Sequence, residues 1–206
     1  MSGRRPPAEN AASKQPPLFI VAMKGHPGTG KSTLSRFLSS TLRLPLLDKD
    51  DVRNSTLPLQ RAYPSSSPLL NDLSYSVLLR LASTQLSAGL GVIIDSPLSR
   101  RHLLGSIVAL AEAHGAKVVV VECVARDEAE WRRRVEERGR GVERDEGIWH
   151  KPSTWRELKE LVDGYGGCTE YAVDEGVAKL VVDTTEEGVG LSEMAERVMA
   201  FLAENG

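Results

Sequence analysis

A chain of 206 residues, 41% of them hydrophobic and with 26 basic against 28 acidic side chains, has room for one α/β domain with a substantial core. Its formal net charge of −2 gives no global basic field to draw it to nucleic acid or an anionic membrane, so any anion recognition must be local. No apolar run is long enough to cross a bilayer, and the two cysteines, Cys123 and Cys168, show no metal-ligand spacing, which favours free thiols in a reducing cytoplasm.

Residues 1–16, MSGRRPPAENAASKQP, are mostly small, polar or proline and lack apolar periodicity, which predicts a disordered leader ahead of a single domain over 17–206. The leader lacks the apolar segment of a secretory signal, while Arg4, Arg5 and Lys14 against the single acid Glu9 leave organellar import open. Leu18–Met23 then reads as a buried strand, and Leu34, Phe37, Leu38 and Leu42 recur at helical spacing within Ser32–Leu42. Between them stands GHPGTGKST, Gly25–Thr33, which fills the pattern G-x-x-x-x-G-K-[ST] in the strand, loop and helix setting that this pattern requires. Glycine permits a sharp turn and close approach of bare backbone, so successive N–H groups can converge on phosphate oxygens at a helix N-terminus. Gly25, His26, Pro27, Gly28, Thr29, Gly30, Lys31, Ser32 and Thr33 are therefore expected to cradle a nucleoside triphosphate. Lys31 is expected at the β and γ phosphates and the Ser32 hydroxyl on Mg²⁺.

A second short strand, Leu44–Leu47, leads into LLDKDDVR, where Asp48, Asp50 and Asp51 put three carboxylates into four positions. Their repulsion calls for a cation or a hydroxylated substrate, with helix capping by Asp48 or Asp50 as the competing reading. After a helical pattern over Asn71–Ala88, the strand Gly91–Ile94 runs into Asp95, the position of an acid that holds Mg²⁺ directly or through water. Arg100 and Arg101 open the next helical pattern, Arg100–His114, where positive charge opposes the helix dipole, so at least one is expected to meet an anion.

The strand Lys117–Val124 precedes a helical pattern over Glu128–Arg138 and seven arginines between Arg126 and Arg144. Helical neighbours differ in direction by about 100°, so Arg132, Arg133 and Arg134 cannot all face one ligand. An arginine-rich lid over about 132–155 is expected, with Arg134 and Arg138 acting on the transferring group and other arginines in surface pairs such as Arg133 with Glu137. His150 and Lys151 are candidates for substrate contact, and GYGGCTEY (Gly164–Tyr171) reads either as substrate contact or as a tight connection. The last strand, Lys179–Val182, leads to Asp183, Thr184 and Thr185, with Thr184 expected beside the nucleotide, and a helix over Leu191–Ala203 follows. Strands alternating with helices argue for a parallel sheet covered on both faces, with function in the loops that leave the strand C-termini.

Taken together, GHPGTGKST, LLDKDDVR and VIIDSP resemble the small P-loop kinases that include adenylylsulfate, gluconate and shikimate kinases, chloramphenicol phosphotransferase and the zeta toxins. The resemblance runs from about Leu18 to the C-terminus. It implies a three-layer P-loop NTPase fold: a five-stranded parallel sheet of order 2-3-1-4-5 with helices on both faces. It also implies that Asp48 assists the Mg²⁺ shell and Asp50 contacts the acceptor hydroxyl as base or orienter. DKDDVR is similar to the D-G-D-N-[VL]-R of adenylylsulfate kinases, which would make Arg53 a substrate-facing arginine, although Lys49 stands where that pattern has glycine and Asp51 where it has asparagine. HKPSTWRELKELVDGYGGCTEY resembles a segment of uncharacterised P-loop kinase-like proteins of plants and fungi, a resemblance that supplies no substrate.

The leading expectation is a kinase that moves the γ-phosphoryl of ATP to a hydroxyl of a small metabolite or nucleotide with Mg²⁺. Lys31, Asp50, Arg134 and Arg138 would be catalytic, Ser32, Asp48 and Asp95 would be at the metal, and Asp48, Asp50, Arg53, Asp95 and Arg100 would face substrate. ATP is favoured over GTP because the family uses it and no guanine-reading N-K-x-D follows a strand. A nucleotide-dependent switch and a kinase of nucleic-acid ends are the alternatives; the acidic balance argues against a nucleic-acid partner.

Overall fold

The computed structural model describes residues 17–140, 151–173 and 176–205. The leader expected over 1–16 and the stretch 141–150 of the expected lid, His150 included, lie outside the described residues. The strands are β1 (Phe19–Lys24), β2 (Leu46–Asp48), β3 (Val92–Asp95), β4 (Lys117–Val124) and β5 (Ala178–Asp183). The helices are α1 (Lys31–Leu42), α2 (Lys49–Ser55), α3 (Leu57–Ala62), α4 (Ser67–Ser87), α5 (Arg101–His114), α6 (Glu128–Arg140), α7 (Trp155–Gly164) and α8 (Leu191–Glu204).

All strands pair in parallel in the order β2-β3-β1-β4-β5, the order the resemblance implied. The strand alternation sorts the core onto two faces. Ile20, Ala22, Val92, Ile94, Val118 and Val120 pack under α4 and α5, against Leu78, Ala82, Leu104 and Ile107. Val21, Met23, Ile93, Val119 and Val121 point the other way, onto Leu34 and Leu38 of α1 and Met194, Val198 and Leu202 of α8. Burying both faces explains why the strands read as unbroken apolar runs.

Register then decides what stands at the working edge. Asp48 of β2 is level with Asp95 of β3, and Lys24 of β1 is level with Glu122 of β4. Each pair sits at the C-terminal end of its strands, where ligands bind in open parallel sheets.

Two helices, α3 and α7, go beyond the expected elements, and α2 follows the capping reading of LLDKDDVR. In α2 the Asp48 side chain accepts the Asp50 N–H at 2.9 Å, so the acid that ends β2 also starts the next helix. The short α3 continues after α2 with Pro58 in its first turn. Helix α7 has a sequence signal that was passed over: Thr154 accepts the Glu157 N–H at 3.2 Å, and Glu157 accepts the Ser153 N–H at 2.7 Å. This S/T-x-x-E cap precedes the buried Leu158 and delivers Tyr165 to the end of the helix. Helix α4 starts at Ser67 rather than Asn71, because Pro68 fits a first helical turn.

Candidate active site

The phosphate loop is the connection between β1 and α1, and its backbone demands glycine. Gly25 has φ of 140°, and a Cβ there would collide with the Cys123 carbonyl of β4. Gly28 has φ of 84° and would press a Cβ to 2.7 Å from Val135 of α6. A left-handed φ and an occupied neighbouring space leave no other residue unstrained. Trp131 of α6 donates its indole N–H to the Pro27 carbonyl at 2.9 Å, which ties that helix to the loop. Lys31 donates to the His26 carbonyl at 3.2 Å, across the turn of the loop. His26 lies between the rings of Trp131 and Tyr165, and burial, helped by Lys24 and Lys31, lowers its pKa.

A cleft of about 520 Å³ opens beside this loop. Pro27, Gly28, Gly30, Lys31, Ser32 and Thr33 form its phosphate-loop wall. Asp48, Asp50 and Asp95 stand at its floor, and Arg134, Arg138 and Lys151 close it from the lid side. Much of the expected site therefore converges on one cavity. Arg134 and Arg138, one helical turn apart, share the inward face of α6, while Arg133 turns out to Glu130 and Glu137 at 2.6 Å each. Arg134 is held by Glu130 at 2.8 Å and by Thr184, and Arg138 by the Pro152 carbonyl at 2.7 Å.

Asp48 and Asp95 are both buried, and Asp95 accepts a hydrogen bond from Ser35 at 3.0 Å. Burial, with the facing Asp95 charge next, raises the Asp48 carboxyl to about 6. Two buried carboxylates side by side, with the Ser32 hydroxyl lining the same cleft, fit a divalent cation, whose charge would relieve both the repulsion and the desolvation. Among the described residues no group of three or more His, Cys, Asp or Glu side chains is arranged as a metal centre. The arrangement suits a cation that takes its remaining oxygens from phosphate and water, as Mg²⁺ does.

Several expected site residues are placed elsewhere. Arg53 does not face the cleft: it is 4% exposed and donates to Thr56, Gln60 and Ser67 at 2.9 Å each, fastening α2 to α3 and to the first residue of α4. The reason is local, since α3 and the start of α4 fold back on α2 and, with Thr56, offer it three oxygens. Thr184 is buried behind the phosphate loop. Its hydroxyl lies 2.9 Å from the Thr29 carbonyl and accepts from Arg134 at 2.9 Å, so it braces the loop and the arginine together. Arg100 is exposed at the start of α5 and is not on the cleft wall. Gly25, His26 and Thr29 line a separate cavity of about 250 Å³ on the β4 side of the loop, beside Lys24 and Glu122.

The cleft also holds residues outside the expected site set. Lys49, between two acids, is 7% exposed, and Ser96 is 2% exposed. Leu161 and Tyr165 complete the wall from α7 and its end. D-K-D was a visible signal for Lys49. Tyr165 on the cleft wall agrees with the substrate-contact reading of GYGGCTEY, but which of its two tyrosines reaches the cleft depends on how α7 packs.

The parallel order 2-3-1-4-5, the glycine loop with its lysine, and a lid-side helix bearing inward arginines define a P-loop NTPase with the fold of the small kinases. The sequence profile of the AAA domain family AAA_33 matches residues 20–156, and the chain belongs to that family. No curated protein sequence matches it significantly. Among solved structures, a provisionally assigned kinase from Chloroflexus aurantiacus superposes with a TM-score of 0.65 at 24% identity, covering 94% of this chain and 100% of that one. A gluconokinase from Sinorhizobium meliloti gives 0.57 at 18% identity, over 92% and 93% of the two chains. The adenylylsulfate (APS) kinase CysC of Mycobacterium tuberculosis, in complex with AMPPNP and APS, gives 0.54 at 16% identity, over 91% and 99%. At these identities the likeness is one of fold. Among the described residues no helix is long and apolar enough to cross a membrane.

Proposed function

We propose that this protein is a phosphotransferase that moves the γ-phosphoryl of ATP to a hydroxyl of a small molecule with the help of Mg²⁺. The observation that carries this reading is the second half of the cleft. Beyond the phosphate loop, Asp50, Lys49, Lys151, Arg138 and Tyr165 wall a compartment continuous with the loop, and a protein that only hydrolysed nucleotide would have no use for it.

The roles follow from position. The loop N–H groups and Lys31 hold the triphosphate, Lys31 exchanging its bond to the His26 carbonyl for phosphate oxygens. Ser32, Asp48 and Asp95 would hold Mg²⁺, which supplies charge neutralisation at the phosphates when bound. Arg134 and Arg138, on the cleft wall with the phosphate loop and Asp50, would stabilise the negative charge that spreads over the transferring group. Asp50 stands 2.7 Å from Lys151 on the cleft wall, where its carboxylate is positioned to accept the hydrogen bond of an incoming hydroxyl. Lys151 then shifts from Asp50 as the hydroxyl arrives.

The test is ATP turnover with Mg²⁺ by the purified protein, first alone and then with pools of nucleosides, nucleotides, sugar acids, polyols and adenylylsulfate, with Lys31→Ala as control. Stimulation by one pool, lost in the variant, supports the transferase. Steady hydrolysis indifferent to every pool rejects it in favour of a nucleotide-driven switch.

A further inference from the structure

We propose that the acceptor carries an anionic group, a carboxylate, phosphate or sulfate, and that Lys49 with Ser96 recognises it. The inference rests on the transferase reading and names the chemistry of its second substrate.

The argument is one of unbalanced charge. Lys49 is 7% exposed and turned into the cleft, yet the nearest carboxylate oxygen among the described residues, on Asp50, is 3.8 Å away, and the face of Tyr75 lies at 5.7 Å. The second oxygen of Asp50 is already 2.7 Å from Lys151. Two ammonium groups therefore share one carboxylate, and Arg138 adds a third cation to the same end of the cleft. Asp48 and Asp95 do not restore the balance, because they face each other at the position that suits a divalent cation. A buried lysine without a close counter-ion is costly to hold. It is retained where a ligand supplies the missing charge.

Ser96 gives an independent sign of a ligand. It is 2% exposed and lines the cleft at the end of β3, and among the described residues its hydroxyl meets no partner at full hydrogen-bond geometry, the Tyr75 hydroxyl being its polar neighbour. Buried hydroxyls are nearly always satisfied. The contrast on the same helix is Arg53, equally buried but given three oxygens by its own chain.

The experiment compares matched pairs, glycerate and glycerol 3-phosphate against glycerol, and gluconate against sorbitol. Binding to the full chain is measured by calorimetry in the presence of Mg²⁺ and a non-hydrolysable ATP analogue. At least one acid is expected to bind roughly tenfold or more tightly than its neutral counterpart, and Lys49→Met is expected to erase that preference while Lys49→Arg retains part of it. The carboxylate and phosphate arms tell the two anion types apart. Thermal unfolding without ligand is a second readout: Lys49→Met is expected to raise Tm, because it removes a poorly compensated buried charge. Acids that bind no better than neutral partners, an acid preference that survives Lys49→Met, or a Tm that falls in that variant would each overturn the proposal. Lys49-dependent acid binding without phosphoryl transfer would keep the anion site and reject the transferase. Transfer to a neutral polyol, unchanged in Lys49→Met, would do the reverse.

Discussion

Two charge pairs occupy the same edge of the sheet and differ in one sign. Asp48 and Asp95 end β2 and β3 in register, while Lys24 and Glu122 end the adjacent pair β1 and β4 in register. The second pair neutralises itself: Lys24 donates to Glu122, which also takes Lys179 at 3.1 Å. Burial would raise the Glu122 carboxyl, but Lys24 and Lys179 outweigh it and leave it below the usual range. Among the described residues the first pair has the Asp50 N–H on Asp48 and the Ser35 hydroxyl on Asp95, and burial with the facing Asp95 charge still raises Asp48. A buried charge that its own chain completes is part of the fold. A buried charge left incomplete marks where a ligand is expected, and the contrast of Arg53 with Lys49 repeats that pattern on one short helix.

The strongest way to break this comparison is to neutralise one acid of the incomplete pair. Asp95→Asn is expected to lower Mg²⁺-dependent ATP turnover by roughly 100-fold or more, about 3 kcal/mol in the barrier, without lowering Tm. Steady-state kinetics beside thermal melts check both halves.

Glu122→Gln is expected to behave in the opposite way. It strands Lys24 beneath the phosphate loop at a cost of about 2–3 kcal/mol in stability, measured by denaturant unfolding. The pH dependence follows from the same pair. Because the folded pKa of Glu122 lies below its unfolded value, its stabilisation is complete above the unfolded pKa and is lost as pH falls through the folded one. Wild type should therefore shed its advantage over Glu122→Gln in acid.

A smaller effect of opposite sign is expected at Asp48. Its folded pKa of about 6 exceeds the unfolded value, so Mg²⁺-free protein loses stability as pH rises through that window. The loss is about 1–2 kcal/mol once solvent screening is allowed for. Melts in chelator at about pH 5 and about pH 8 should show the decline in wild type and its absence in Asp48→Asn.

The smallest effect sharpens the comparison on α6. Arg133→Ala removes a surface arginine paired with Glu130 and Glu137, and should leave both Tm and turnover essentially unchanged. Arg134→Ala, one residue on, should lower turnover, because that side chain lines the cleft.

Much of this molecule was legible before folding. The five strands, the two-faced burial and the phosphate loop follow from local pattern, because apolar runs, helical spacing and glycine geometry are properties of neighbouring residues. The acids after β2 and β3 were legible for the same reason. The sequence alone could also say that only some arginines of α6 face inward, since helical rotation separates Arg133 from Arg134. What only the tertiary structure decided is which charges are completed by the chain. Arg53 left the site because Thr56, α3 and the start of α4 supplied three acceptors, Thr184 became a brace because β5 places it behind the loop, and Tyr165 entered because α7 carries it back. Lys49 looked like an interruption of an acidic motif and stands as a buried cation short of a counter-ion. Spacing in sequence specifies which residues share an element, but charge balance depends on distance across elements, and register and packing set that distance.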